Sequence, residues 1–148
     1  MALDMLNEPV SKFTNPKMTT IASNLTIQDA AKAMTDSKVD SILVFEDNKI
    51  IGIVTEKDIL HVVAKGLDPV NTILKQITKS PIISIKKTSP VKDALELMKK
   101  HDIRRLLVID KRPIGLITQK MVCGNLRKTQ LPFLSLRCQT RLFAHIVP

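Results

Sequence analysis

The chain contains one stretch twice: Ile51-Gly52-Ile53-Val54-Thr55 and, 63 residues later, Ile114-Gly115-Leu116-Ile117-Thr118. In both, aliphatic residues on either side of a single glycine are typical of a buried strand. The threonine that follows is a favoured residue at the start of a helix, so each stretch predicts a strand-to-helix corner. Because the match continues on both sides of the corners, the sequence indicates an internal repeat of two similar modules.

The elements around each corner follow the same order. An apolar stripe at helical period is formed by Ala30, Ala31 and Met34 in the first copy and by Ala94, Leu95 and Met98 in the second, which predicts a helix in each. Apolar runs at 42–45 and 106–109 are predicted strands, and short polar turns join them to the corner strands as hairpins. With a strand before the first helix and a second helix after the corner, each copy is predicted to be a β-α-β-β-α module.

These modules place the chain in the α/β fold class. A three-stranded sheet leaves both of its faces to be covered, so we expect the two copies to pack through their sheets as a pseudo-two-fold pair. The expected parts are a first copy with an N-terminal lead-in, a helical connector, a second copy and a C-terminal tail, at residues 1–66, 67–77, 78–130 and 131–148. The tail is expected to dock on its own chain or fray, or else to form a partner-binding arm.

The composition favours a cytoplasmic protein without catalysis. No run of about 18 uncharged apolar residues is present to span a membrane, and the N-terminus lacks the basic and apolar regions of a secretory leader. Cys123 and Cys138 lack zinc-ligand spacing, and two reduced thiols are favoured. Since the sequence also lacks a Walker loop, a nucleophile motif and a glycine-rich cradle, we expect no enzyme activity, no metal and no obligatory cofactor.

Charge is distributed unevenly along this basic chain. Residues 1–74 carry 7 Lys/Arg and 10 Asp/Glu, whereas residues 75–148 carry 16 Lys/Arg and 4 Asp/Glu. The second half therefore has a net charge of +12, against −3 for the first half. A polyanion or a phosphate-bearing ligand is an expected partner of the second half.

The corner of the first copy carries groups suited to a phosphorylated ribose. Gly52 would let a ligand approach the backbone, and Thr55 would offer a hydroxyl and a free N–H at a helix N-terminus. Asp58 follows one turn later on the same face, where a carboxylate can accept the hydroxyls of a ribose. Thr55 and Asp58 would equally form an ordinary N-cap with an acidic first turn, so both interpretations stay open.

Four features together resemble the CBS-domain pair: the duplicated β-α-β-β-α pattern, the Thr-x-x-Pro/Lys openings of the copies, the two Gly-x-x-Thr corners and the stretch Ile103-Arg104-Arg105-Leu106-Leu107-Val108-Ile109-Asp110. The likeness covers about residues 10–128. It implies a regulatory or sensor module that binds AMP, ADP, ATP or a related adenosyl ligand in the cleft between the copies, without catalysis. It also implies a homodimer.

The resemblance further implies a role for particular residues. Asp58 would bind the ribose and Thr55 the phosphate, with Lys57 near the phosphates or, equally, exposed to solvent. The base would be held by the opening strand of the partner copy and by residues before the second strands. In this sequence those positions are Thr78, Pro81 and Ile83, with Ile103 and Arg104 opposite Asp40 and Ser41.

The second corner departs from the pattern. It keeps Thr118, but Met121 stands at the position that matches Asp58, and a methionine cannot hydrogen-bond a ribose. We therefore predict one competent nucleotide site and one degraded site. Arg104 and Arg105 lie near both, and Arg105 is expected either to hold a phosphate at the second site or to be a surface charge.

Nucleic-acid binding by the basic half is the alternative function. It would use non-specific phosphate contacts, although the chain lacks aromatic platforms, a helix-turn-helix and a zinc pattern, and a basic solvated face is favoured over it. The candidate residues are Lys86, Lys87, Lys99, Lys100, Arg104, Arg105, Lys111, Arg112, Arg127 and Lys128.

Overall fold

The computed structural model describes residues 2–79 and 81–128. The chain begins with helix α1 (Ala2–Asn7) and a 3-10 turn at Val10–Phe13. The first copy then contains β1 (Thr20–Ala22), α2 (Ile27–Ser37), β2 (Ser41–Glu46), β3 (Lys49–Thr55) and α3 (Glu56–Ala64), and helix α4 (Leu74–Ile77) lies in the connector. The second copy contains β4 (Ser84–Lys86), α5 (Val91–Lys100), β5 (Arg105–Asp110), β6 (Arg112–Thr118) and α6 (Gln119–Lys128). The predicted β-α-β-β-α order is confirmed in both copies.

Each copy forms its own three-stranded sheet with the same topology. In the first sheet β1 is parallel to β2, and β2 is antiparallel to β3, in the order β1-β2-β3. The second sheet repeats this with β4-β5-β6, and even the irregularity in the hairpin register recurs, after Val44 and after Val108. The register places Ser41 opposite Thr55 and Arg105 opposite Thr118. The start of each middle strand therefore lies beside the corner.

The chain forms two compact units that differ from the sequence-based division. One unit is Met18–Ile82, and the other combines residues 2–17 with residues 83–128. The lead-in, predicted to belong with the first copy, thus packs with the second, and the connector packs with the first. Thr78 and Lys79, predicted to open the second copy, pack with the connector, so connector means residues 67–79 from here on.

Equivalent hydrogen bonds hold the lead-in and the connector in place. The N–H of Val10 donates to the carbonyl of Ser89 at 2.8 Å, and the N–H of Leu74 donates to the carbonyl of Leu25 at 2.9 Å. Residues 25 and 89 are 64 apart, as are 10 and 74, so the two segments are copies of one element. Val10 and Leu74 are each completely buried in the core of the unit on which they pack, and this burial explains the arrangement.

The two cores are aliphatic. The core of unit Met18–Ile82 is built from α2, the hairpin strands and Val62 of α3, and that of the other unit from α5, β5, β6 and Val122 of α6. The expectation of two reduced thiols is wrong for Cys123, which is buried and disulfide-bonded, while Cys138 and the predicted tail lie outside the described residues. In the part of the chain that the structure describes, no helix is long and apolar enough to cross a membrane.

Candidate functional site

The first corner is a complete capping box. Thr55 is the last residue of β3 and the N-cap of α3, with an extended backbone. Its N–H and its hydroxyl both donate to Oδ2 of Asp58, each at 2.9 Å, and the N–H of Asp58 donates back to Thr55 Oγ1 at 3.4 Å. The N-cap interpretation of this pair is therefore confirmed. The expected free N–H of Thr55 is wrong, because both of its donors bind Asp58.

The second carboxylate oxygen of Asp58 faces a residue of the connector. Oδ1 lies 3.2 Å from the Nζ atom of Lys79, and the two groups form an ion pair. The side chain of Asp58 is only 11% exposed, whereas that of Lys79 is 77% exposed. Burial works to raise the pKa of Asp58, but the hydrogen bonds from Thr55 and the Lys79 ammonium outweigh it, so the pKa lies below its ordinary value. Asp58 is thus an ionised carboxylate at neutral pH.

Gly52 makes room for the connector. A Cβ atom at this position would lie 2.3 Å from Cγ2 of Thr78 and 2.5 Å from the carbonyl oxygen of Lys79. Lys79 is paired with Ile53 in an isolated antiparallel bridge, which keeps the connector against β3. The chain itself fills the space beside Gly52, and the expectation that a ligand approaches the backbone here stays a prediction. The hydroxyl of Thr78 donates to the carbonyl of Leu74 at 2.7 Å.

The second corner has the same backbone arrangement and different side chains. A Cβ atom at Gly115 would lie 2.4 Å from the carbonyl oxygen of Asn15, which pairs with Leu116 as Lys79 pairs with Ile53. The N–H of Met121 donates to Oγ1 of Thr118 at 3.2 Å, which is half of a capping box. The residues that match Asp58 and Lys79 are therefore the uncharged Met121 and Asn15.

The remaining predicted residues of the first unit lie around the N-terminus of α3. Ser41 is buried opposite Thr55, and the carbonyl of the exposed Asp40 accepts the N–H of Glu56 at 3.1 Å. Lys57 is exposed in the first turn of α3, and Pro81 is exposed beyond the connector bridge. The structure thus brings Asp40, Ser41 and Thr78 to the corner.

The predicted residues of the second unit lie by the second corner. The carbonyl of the exposed Arg104 accepts the N–H of Gln119 at 2.9 Å, and the half-buried Arg105 is opposite Thr118 in the ladder. Ile83 and Ile103 are half-buried against the core of this unit. Their predicted contribution to a nucleotide site stays a prediction.

Lys79 is a residue that the sequence analysis missed. Thr78-Lys79 matches Thr14-Asn15 in the repeat, so a cation was visible at the opening of the second copy. Its contact with Asp58 was hidden, because it depends on the connector packing against the first copy.

The basic residues of the second unit include one small cluster. Lys86, Lys87, Thr88, Ile109, Asp110 and Lys111 line a surface pocket of about 250 Å³. Lys87 is paired there with Asp110 at 2.5 Å, which neutralises one of the three lysines. Among the described residues, no group of three His, Cys, Asp or Glu side chains could hold a metal ion.

The comparisons with known proteins identify the family. The model of the CBS domain matches residues 10–65 and 74–128, so the chain belongs to the CBS-domain family and contains a CBS pair. Such pairs are typically regulatory. A hexameric CBS-CP12 protein from bloom-forming cyanobacteria has a solved structure with a TM-score of 0.74 and 26% identity, over 84% of this chain and 74% of that one.

Curated relatives range from short CBS proteins to enzymes with further domains. The CBS domain-containing protein YhcV of Bacillus subtilis is 33% identical over 96 residues, 64% of this chain and 68% of the relative. The inosine-5'-monophosphate dehydrogenase of Nitrosopumilus maritimus is 34% identical over 71% of this chain, which spans only 21% of the enzyme. An uncharacterised protein of Methanocaldococcus jannaschii is 28% identical over 68% of this chain, which spans 33% of it.

Proposed function

We propose that this CBS pair is a regulatory module that binds an adenosine nucleotide at the first corner and catalyses no reaction. AMP, ADP, ATP or a related adenosyl ligand would fit the chemistry. The observation that carries the proposal is the state of Asp58, an ionised carboxylate fixed by Thr55 at the start of α3. Such a module would act through different ligand affinities of its conformational states.

The two oxygens of Asp58 have separate tasks in this proposal. Oδ2 is fully used by Thr55 and fixes the carboxylate in place. Among the described residues, Oδ1 is contacted by the exposed ammonium of Lys79, and it retains lone pairs to accept ribose hydroxyls. A site in which the acceptor is already oriented loses little conformational entropy on binding.

Titration calorimetry with AMP, ATP and adenosine tests the proposal, and the chain offers a matched control. Asp29 forms the same capping box with Thr26 at the start of α2, with the Thr26 hydroxyl donating to Asp29 Oδ2 at 2.8 Å. We expect Asp58→Asn to abolish nucleotide binding and Asp29→Asn to retain it, although each loses a similar cap of about 1 kcal/mol. The proposal fails if the unaltered chain gives no binding heat with any adenosine ligand.

We further propose that the chain self-associates as a homodimer. Leu60 and Val63 of α3 are large apolar side chains that are 67% and 59% exposed, and self-association would cover them. The hexameric cyanobacterial protein is a precedent for assembly in this family. Light scattering coupled to size-exclusion chromatography should give twice the chain mass; the monomer mass would contradict the proposal.

Nucleic-acid binding remains the second candidate, favoured by the net charge of +12 on residues 75–148. Gel shifts with duplex DNA across a salt series test it. Phosphate-driven binding would weaken with a log-log slope of about −0.9 per neutralised phosphate. Absence of a shift at low salt removes this candidate.

A further inference from the structure

We infer that Lys79 makes the site selective for negatively charged ligands. On nucleotide binding, its ammonium leaves Asp58 for a phosphate group, and uncharged adenosyl ligands are disfavoured. This inference rests on the proposed function, because it assigns a residue to the same site. It concerns the 3.2 Å ion pair between Lys79 and Asp58, which nothing in the sequence pattern had assigned.

The backbone of Lys79 is fixed while its ammonium is not. The bridge to Ile53 and the contact of its carbonyl with Gly52 hold the main chain against the corner. Its side chain is 77% exposed, and an exposed ion pair is weak. A lysine ammonium on a flexible four-carbon stem can therefore change partner without disturbing the fold.

A phosphate at this corner needs a partner other than Thr55. The two donors of Thr55, which would have been the simplest phosphate contacts, are both directed at Asp58. Lys79 is the cation that the structure places directly on the ribose-binding carboxylate. A phosphate with up to two negative charges competes well against a single carboxylate for this ammonium.

This change of partner predicts that Lys79 has opposite effects on the affinities for charged and uncharged ligands. Ribose hydroxyls that approach Asp58 Oδ1 meet the ammonium of Lys79 there. A nucleotide offers Lys79 a new anionic partner in return, whereas adenosine offers none. Lys79 therefore favours AMP and opposes adenosine at the same site.

Titration calorimetry with AMP and with adenosine, on the full chain carrying Lys79→Met, tests this inference. AMP binding should weaken about tenfold, the loss of one charge-assisted hydrogen bond, while adenosine binding should stay the same or tighten. Lys79→Arg keeps the charge and should keep the preference for AMP. The preference of the unaltered chain should also fall as salt is raised.

Lys75→Met is the matched control. Lys75 lies in the same connector and forms an exposed ion pair with Glu46 at 2.7 Å, at the end of the hairpin away from Thr55. Lys75→Met should leave the affinities for AMP and for adenosine unchanged. Equal weakening of AMP and adenosine by Lys79→Met, or no weakening of AMP, overturns the inference while the proposed function stands. If the unaltered chain binds neither AMP nor adenosine, the inference is overturned; the proposed function fails with it only if ATP also gives no binding heat.

Discussion

The two corners of this chain share their backbone and differ in their chemistry. Each has a glycine against which a segment of the repeat packs, and each has a threonine that accepts a backbone N–H three residues into the helix. The first corner adds Asp58 and Lys79, and the second has Met121 and Asn15 instead. The comparison separates what the fold requires, which both copies keep, from what a ligand would require, which only the first copy keeps.

The largest expected effect tests the shared part of the comparison. Gly52→Ala and Gly115→Ala each place a Cβ atom within about 2.5 Å of a backbone carbonyl oxygen, which is closer than real contacts allow. Both should lower the free energy of unfolding by at least about 2 kcal/mol, measured by urea denaturation.

Gly124 of α6 is the control for these substitutions. A Cβ atom at this position meets nothing within 4 Å, so Gly124→Ala should be neutral or stabilise the helix by up to about 1 kcal/mol. If Gly52→Ala or Gly115→Ala unfolds like the unaltered chain, the packing of the connector or of the lead-in against its corner is wrong.

The second prediction attempts to convert one corner into the other. Met121→Asp gives Thr118 the partner that Thr55 has, and it should raise the free energy of unfolding by about 1 kcal/mol by completing the capping box. Combined with Asn15→Lys, it supplies both missing charges. Calorimetry with AMP should then report a second binding event per chain. If Met121→Asp is destabilising, Thr118 does not cap α6 as Thr55 caps α3. If the double variant still binds one AMP, the two charges are insufficient for a site.

Much of the fold could be predicted, because the repeat is strong and local. The two apolar stripes, the two corner threonines and the apolar runs at 42–45 and 106–109 were sufficient to place the helices and hairpins. The packing of the lead-in with the second copy and of the connector with the first could not be predicted. Nothing in the sequence around Val10 or Leu74 indicates which copy buries these side chains, since the two segments are equivalent and either assignment satisfies the local pattern.

The candidate site was predictable only in part, for the same reason. The spacing of Thr55 and Asp58 gave the cap, because three residues are one helical turn. The neighbours of Gly52 and the partner of Asp58 come from the connector. They lie 21 to 27 residues further on in the sequence and are positioned only by tertiary packing. From the sequence, a glycine that makes room for a ligand cannot be distinguished from one that makes room for another segment of the chain.

The smallest expected effect is a difference in acid sensitivity between the corners. The pKa of Asp58 lies below its ordinary value, because the bonds from Thr55 and Lys79 outweigh the effect of burial. A carboxylate of this kind stabilises the fold above its unfolded pKa of about 3.9, and the contribution is lost as pH falls through the lower folded pKa. The stability lost by Asp58→Asn should therefore be larger at about pH 7 than at about pH 3, in urea denaturation at both pH values.

Met121→Asn is the counterpart at the other corner, since it introduces the same side chain without removing a carboxylate. Its effect on stability should be the same at the two pH values. Asp29, whose pKa is also lowered by its bonds with Thr26, is present in every protein compared and cancels from the differences. If Asp58→Asn and Met121→Asn respond alike to pH, Asp58 carries no special charge stabilisation. The electrostatic difference between the corners would then be confined to Lys79.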